Sequence, residues 1–555
     1  MAAAARAEVG RGVEAAACKR QVRNNGNNNS GVARNGRQRG GYGWALVSTV
    51  AAALACVYNT ATPAAAAVLT SASPPLALSD VQKAMSQSIS VGPYVGTVVT
   101  ADGNAYSWGV QSSAMGYGSS ARDVWVTSTS SSSSPPATVG PSGFPGGRTV
   151  LSVATSYAGS FSQPSTGSSI PNNPPGTTLF LLSDATVVPA GICSAGQCST
   201  GGTAEVGTSA SPPSAMASPA TPVANNASDA TRGVVQMAVS MSHSCFVLAT
   251  GEARCSGSMD DGELGMFTFG PSSGGLAAPI PAAIPLDGIA AVLEAPYNAW
   301  PLAVVQSAVG NAFTCLLLNT GNVTCFGSNS AGQCADDTSV SNHWGPDSVV
   351  ELPSRLPAVQ VCTGFDFACA LLVNGSAACW GKNDRSQLGT ATWYGASSAA
   401  PLLWFRTSTT VYTQISCGYR HTCGLRADGN VDCAGNNVWY QVDSSSSTRD
   451  SSAITVTSSD TINTGTSANS GVRFTSLGLS PASLTTCGTL SNGRVRCWGM
   501  DSVSADGQHK ANGRGSTGLR SNGGPATSPS FPNTDALGST YLPFPLVQDV
   551  TAAPR

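Results

Sequence analysis

The sequence predicts an all-β fold, a seven-bladed β-propeller with disulfide-stapled hairpins and low-complexity loop insertions. Three observations predict it. A pair of cysteines ten positions apart occurs five times. Two glycines keep fixed places around every pair, and two further segments keep the same frame without the cysteines. An internal period of this kind decides fold class ahead of any local propensity.

The pairs are Cys245 with Cys255, Cys315 with Cys325, Cys369 with Cys379, Cys423 with Cys433, and Cys487 with Cys497. Gly251, Gly321, Gly375, Gly429 and Gly493 stand four residues before the second cysteine; Gly257, Gly327, Gly381, Gly435 and Gly499 stand two after it. Around Asn319, Thr320 and Gly321, two short β-prone runs flank a turn, which reads as a hairpin. If the cysteines face each other, the loop has an odd number of residues. The common odd-length hairpin is a type I turn followed by a residue at positive φ, the position Gly321 and its counterparts fill. Opposed strand residues have Cα atoms about 4.5–5.5 Å apart, within a disulfide's reach. Each staple across so small a loop contributes roughly 2–3 kcal/mol on the chain-entropy estimate.

Thr97 and Ser107 occupy the cysteine slots of one cysteine-free copy, Leu179 and Pro189 those of another. The total is seven units, starting near 97, 179, 245, 315, 369, 423 and 487. A glycine-bounded loop such as Lys382–Gly389 leads out of each hairpin, and an apolar run such as 357–364 or 411–418 leads into the next. About four short strands per unit is the makeup of a propeller blade, and closing the ring removes exposed sheet edges. Ser/Thr/Pro/Gly-rich inserts at 127–136, 163–176, 199–228 and 444–470 account for the uneven spacing. They cannot bury a core and read as loops.

The segment Cys369–Gly389, with Trp380, Gly381, Gln387 and Leu388, resembles the repeat of the regulator-of-chromosome-condensation family. Gly418, His421, Cys423 and Leu425 match that repeat's entry segment. The resemblance implies a seven-bladed propeller over roughly residues 80–540. The cysteine-paired form is similar to the extracellular propeller of crinkly-type plant receptor kinases, without their kinase domain.

Charged residues make up 10% of the chain and the net charge is −2, so the whole does not read as a basic nucleic-acid binder. Residues 1–41 read as a basic disordered tail, with eight Lys/Arg against Glu8 and Glu14 in the first 39 positions. Residues 42–69 read as a signal anchor or a signal peptide, since 42–58 is uncharged and apolar behind a basic flank. Residues 541–555 form a C-terminal tail. The expected localisation is a membrane-anchored propeller facing the exterior or a lumen, or a secreted one. The seventeen cysteines agree with an oxidising compartment. Cys193 and Cys198 could close a small loop, and Cys362 and Cys417 enter neighbouring blades at nearly equivalent positions, which admits a bridge between blades. Cys334 is left odd, either free or paired between chains. Sequons at Asn226, Asn322 and Asn374 suit glycosylation.

Catalytic readings are weak. Gly513–Gly518 is formally a GxGxxG, but polar, loop-like sequence flanks it where a phosphate cradle needs a strand and a helix. His243 and His421 share a slot with Phe313, Phe367 and Thr485, which makes it a packing position. Asp366 lacks the glycine and companion motifs of a kinase. Asp260–Asp261 and Asp336–Asp337 read as solvated turns, and Trp108, Trp380, Trp498 and Phe326 as packing between blades. No metal site and no cofactor is expected. The function expected is a non-enzymatic exported binding or receptor-like ectodomain that recognises a protein or glycan through rim loops such as Lys382–Gln387 and Asp260–Glu263. The membrane would be a second partner through residues 42–58, and nucleic acid is not expected. The alternative is the guanine-nucleotide exchange and chromatin-binding role of the wider family.

Overall fold

The computed structural model of the 555-residue chain describes residues 88–499 with intervening gaps, together with 519–520. The gaps are chiefly 115–125, 128–136, 140–147, 161–174, 201–232, 268–276, 294–300, 390–396, 404–409, 443–449 and 457–472. The chain divides into two units, Met1–Leu76 and Ala77–Arg555. The tail at 1–41, the apolar segment at 42–69, the C-terminal residues 541–555, Gly513–Gly518 and Asn226 all lie outside the described residues.

Seven antiparallel meanders follow one another along the chain. Blade 1 holds Ile89–Val91, Val95–Val99, Ala105–Gly109 and Ala137–Val139, and blade 2 holds Val150–Tyr157, Gly176–Leu182 and Val187–Gly191. Blade 3 is Val234–Val239, His243–Leu248, Ala253–Ser258 and Ala277–Ala283. Blade 4 is Val304–Val309, Phe313–Leu318, Val323–Ser328 and Asn342–His343. Blade 5 is Ala358–Thr363, Phe367–Leu372, Ala377–Lys382 and Ser397–Leu403. Blade 6 is Tyr412–Cys417, His421–Arg426, Val431–Asn436 and Asp450–Val456, and blade 7 is Phe474–Leu477, Thr485–Leu490 and Val495–Gly499. A short α-helix, Asp287–Val292, lies between blades 3 and 4. The ring closes where blade 7 meets blade 1: a Cβ on Gly478 would lie 2.2 Å from the Ile89 carbonyl oxygen.

The central hairpin of each stapled blade has the register the spacing requires. Cys245 faces Cys255 in blade 3, Cys315 faces Cys325 in blade 4, and Cys369 faces Cys379 in blade 5. Cys423 faces Cys433 in blade 6, and Cys487 faces Cys497 in blade 7. A disulfide joins each of these pairs, with Cα atoms 4.0–4.1 Å apart. That is somewhat closer than the about 4.5–5.5 Å expected of opposed strand residues. In blade 1 the same two slots face each other as Thr97 and Ser107, whose buried hydroxyls lie 3.0 Å apart in a hydrogen bond. Disulfides also join Cys193 to Cys198 and Cys362 to Cys417, the latter linking the inner strands of blades 5 and 6.

Glycine at the hairpin tip is needed twice over. Gly321 has φ +80 and donates its N–H to the Leu318 carbonyl. A Cβ there would lie 2.5 Å from Pro357 Cβ, at the entry to the next blade. That approach lets the Gly321 carbonyl accept the Ala358 N–H at 2.8 Å, the first rung between blades 4 and 5. The same rung recurs from Val304 to Gly251, Tyr412 to Gly375 and Phe474 to Gly429. Blade 2 makes the turn with Ala185 at φ +63, a strained value for a residue with a Cβ.

A second set of clasps ties the inner strands and was not read from the sequence. Gln306 accepts the Val361 N–H at 2.9 Å and donates to the Val361 carbonyl at 3.0 Å, so one carboxamide extends the backbone pairing into the next blade. Gln236 does the same to Ser307, Gln360 to Ile415 and Gln414 to Leu477. Each glutamine stands four residues before the glycine or serine that ends the inner strand, and Ser88, Ser152 and Ser476 fill that slot in the remaining blades. Ser476 turns instead toward Thr489 of its own blade, at 2.7 Å.

Candidate functional site

Strand direction puts the turns after the inner strands and the loops after the third strands on one face of the ring. The hairpin tips lie on the opposite face. The rim loops singled out from sequence are on the first face, yet polarity proves a poor guide to their exposure. Asn383, Ser386 and Gln387 are buried, as is Glu263. Gln387 Oε1 accepts the Arg385 N–H at 2.8 Å, and Asn383 Oδ1 accepts the Leu388 N–H at 2.9 Å. Gln333 and Glu263 close their own loops in the same way. The loop backbones then serve the next blade. The Gln387 carbonyl accepts the Thr422 hydroxyl at 2.9 Å, and the Gln441 carbonyl accepts both Thr486 and Trp498. Asn383, Gln387 and Glu263 are therefore joints rather than contact residues. Those available for contact are Lys382, Asp384 and Arg385 in one loop and Asp260 and Asp261 in the other.

Near the axis of this face the structure gathers residues that sequence reading passed over. Tyr94, Met241 and Tyr419 are buried in a cluster with Ala482 and Leu484, and Tyr157, Phe365 and Val438 pack half-buried against it. Phe365 meets Tyr419 edge-on at 4.7 Å, and Tyr94 lies 6.1 Å from Tyr157. Burial pushes the Tyr94 phenol up to about 12, with Tyr157 adding to the effect, so both rings are neutral hydrogen-bonding groups at ordinary pH. The Arg420 guanidinium sits 5.1 Å from the Tyr419 ring centroid and pairs with Asp384 at 3.1 Å. Lys382 pairs with Asp366 at 3.3 Å. Backbone bonds from Asn311 to Phe365, Phe365 to Tyr419 and Tyr419 to Ser483 hold successive turns in one rigid arc. The available signal was positional: Phe365 and Tyr419 each follow the glycine that ends an inner strand.

The residues weighed for chemistry are structural. His243 and His421 are fully buried, and desolvation lowers both imidazoles to about 3, so they are neutral. His243 bonds Ser240 and Thr314, each at 2.9 Å, and His421 reaches Thr486 of the next blade at 3.0 Å. Trp380 and Trp498 are buried, and Trp380 donates to the Gln333 carbonyl of the preceding blade at 3.0 Å. Pairing of Cys334 with another chain is excluded by its burial: it fills the core position that Leu264, Leu388 and Val442 occupy in other blades. Asn322 and Asn374 lie at hairpin tips on the opposite face, Asn374 exposed and Asn322 half-buried.

Residues 304–333, 358–387 and 412–438, covering blades 4 to 6, match the family described as the Regulator of chromosome condensation (RCC1) repeat. Among curated relatives, the probable E3 ubiquitin-protein ligase HERC3 of Homo sapiens is 31% identical over 128 residues, which is 23% of this chain and only 12% of that protein. Among solved structures, Prp20p of Saccharomyces cerevisiae, reported with its binding to Gsp1p and histones, superposes with a TM-score of 0.52 at 17% identity, covering 79% of this chain and 88% of that one. Human WBSCR16 gives a TM-score of 0.54 at 15% identity, covering 77% and 93%.

These findings correct the expected localisation. No helix among the described residues is long and apolar enough to cross a membrane. The sequence matches are to the RCC1 repeat and to that repeat region of probable E3 ubiquitin-protein ligases. The Arabidopsis crinkly ectodomain superposes with a TM-score of only 0.36, too low to argue from. The reading as a membrane-anchored or secreted propeller, with the membrane as a partner, is withdrawn.

Proposed function

This chain is a seven-bladed propeller of the regulator-of-chromosome-condensation repeat type, and from that premise we propose that it is a non-enzymatic protein-binding scaffold. The binding face is the one that carries Phe365, Tyr419 and Arg420. One observation carries the reading: half-buried Phe365 and Tyr157 are seated on a buried tyrosine cluster held by backbone bonds, with the Arg420–Asp384 and Lys382–Asp366 pairs on the same face. Aromatic and arginine side chains on a pre-ordered surface supply most of the energy in protein interfaces. Their rigidity keeps the entropy cost of association low. The opposite face offers hairpin tips spent on joints between blades.

The test compares wild type with a Phe365→Ala/Arg420→Glu variant and, as control, Asn374→Lys on the opposite face. Partners are captured by cross-linking in cells, with a Gsp1p-type GTPase and core histones as defined probes. Partners lost by the first variant and kept by the second are expected; equal capture by all three proteins would refute the assignment of the face. Accelerated nucleotide release from the GTPase would favour the exchange-factor alternative, which the fold likeness to Prp20p and the basic composition of residues 1–39 support.

A further inference from the structure

One sulphur cluster stands apart from the hairpin staples. The Sγ atoms of Cys362, Cys369 and Cys417 all lie within 4.8 Å of one another, although they belong to two different disulfides. Cys362 and Cys369 face each other directly across the first two strands of blade 5, and Cys369 faces Cys379 across the next two. The Cys362–Cys417 bridge lines the axial channel beside Val361, Ile415 and Ser416. Cys362 is half-buried, whereas every other described disulfide cysteine is at most 2% exposed. A thiol entering the channel therefore meets Cys362 as the more exposed half of the bridge, with the Cys369 sulphur of a second disulfide within 4.8 Å.

We propose that Cys362, Cys417 and Cys369 form a thiol–disulfide exchange site whose co-reactant is a small dithiol. A thiolate of the dithiol attacks Cys362 Sγ, the bond to Cys417 breaks, and Cys417 leaves as a thiolate that takes up a proton. The second thiol of the reductant then attacks the mixed disulfide, closes the reductant into its cyclic disulfide and releases the Cys362 thiolate. The dithiol loses two electrons and the cystine gains two. The Cys362 thiolate next attacks Cys369 Sγ, breaking the bond to Cys379, which is protonated. This second step moves a bond without net oxidation or reduction. The final Cys362–Cys369 pairing is that of opposed antiparallel residues, within a disulfide's span. The bridge thereby shifts from between blades 5 and 6 to within blade 5, and the covalent tie between the two inner strands is removed.

The experiment treats the full-length folded chain with graded dithiothreitol, quenches with acid, alkylates under denaturing conditions and maps the peptides. At the lowest concentration that opens any bridge, alkylation is expected at Cys417 and Cys379, with a new Cys362–Cys369 linked peptide. Cys379 should be labelled at least about tenfold faster than Cys433, its counterpart in blade 6. Alkylation of Cys362 and Cys417 with the Cys369–Cys379 bridge intact would overturn the exchange step. Opening of any other hairpin bridge before Cys362–Cys417 would overturn the assignment of the reachable sulphur.

Discussion

His243 and His421 make the acid stability of this propeller calculable. Both rings are fully buried, and their folded values near 3 lie well below the ordinary 6.5. Between those limits the unfolded chain binds a proton at each position and the native chain does not, so stability is intact above about pH 6.5 and falls as pH drops toward 3. Each histidine contributes a slope approaching about 1.4 kcal/mol per pH unit, and the two together lose about 4 kcal/mol between pH 6 and 4.5. The repeat supplies its own control, because Phe313 and Phe367 occupy the same slot in blades 4 and 5 and pack against Gly310 and Gly364. A His421→Phe variant keeps the shape, because a glycine, Gly418, faces that ring too, and it removes one of the two titrations. It forfeits the bond to Thr486, so its absolute stability changes, but that loss does not depend on pH. Urea denaturation of both proteins at intervals from pH 7 to 4 yields the difference in slope. Carboxylates common to both proteins, including buried Glu263, cancel in that difference. Parallel curves across the whole range would refute the claim that the His421 ring is buried uncharged.

Three further outcomes are expected. Ala185→Gly should stabilise the chain by about 0.5–1 kcal/mol, since it relieves a positive φ while adding some unfolded-state entropy, and chemical denaturation measures it. Gln306→Leu removes both bonds to Val361 and leaves a buried N–H and carbonyl without them, at a cost of about 2–4 kcal/mol; a loss under 1 kcal/mol would show that the clasp carries little. Thr97→Cys with Ser107→Cys should form a sixth hairpin bridge, seen as a 2 Da mass loss per chain and a gain of roughly 2–3 kcal/mol.

The hairpins were legible because two constraints coincide at single residues. A position such as Gly321 must tolerate positive φ and must also admit the next blade at close range. Glycine does both without strain, so the repeat shows through even where cysteine has given way to Thr97 and Ser107; in blade 2, where Ala185 takes the slot, the facing residue is Gly233. The clasps were not legible in the same way. A glutamine inside an apolar strand reads as an outward-facing polar residue, and nothing in Gln306 alone says that its carboxamide meets a backbone 55 residues away. Its regular place four residues before the strand-ending glycine was the clue. Part of each rim loop proved internal for the converse reason. Asn383 and Gln387 look solvent-seeking, but a tight loop leaves backbone N–H groups without strand partners, and these side chains turn inward to satisfy them. Cys334 stayed open between a free thiol and a bond because cysteine suits either, whereas its slot asks only for a small apolar body.

The glutamine clasps occupy four consecutive junctions, from blade 3 to blade 7, and serine holds the slot at the other three. Mechanically, the ring is a stiff five-link bracelet fastened by a softer buckle made of blades 1 and 2. Heat, pulling force or a wedge-shaped partner concentrates its effect where the fastening is weakest. The circle should therefore spring open at the edges of those two blades, while the stiff arc, which bears the Arg420 surface and the Cys362–Cys417 tie, keeps its curvature.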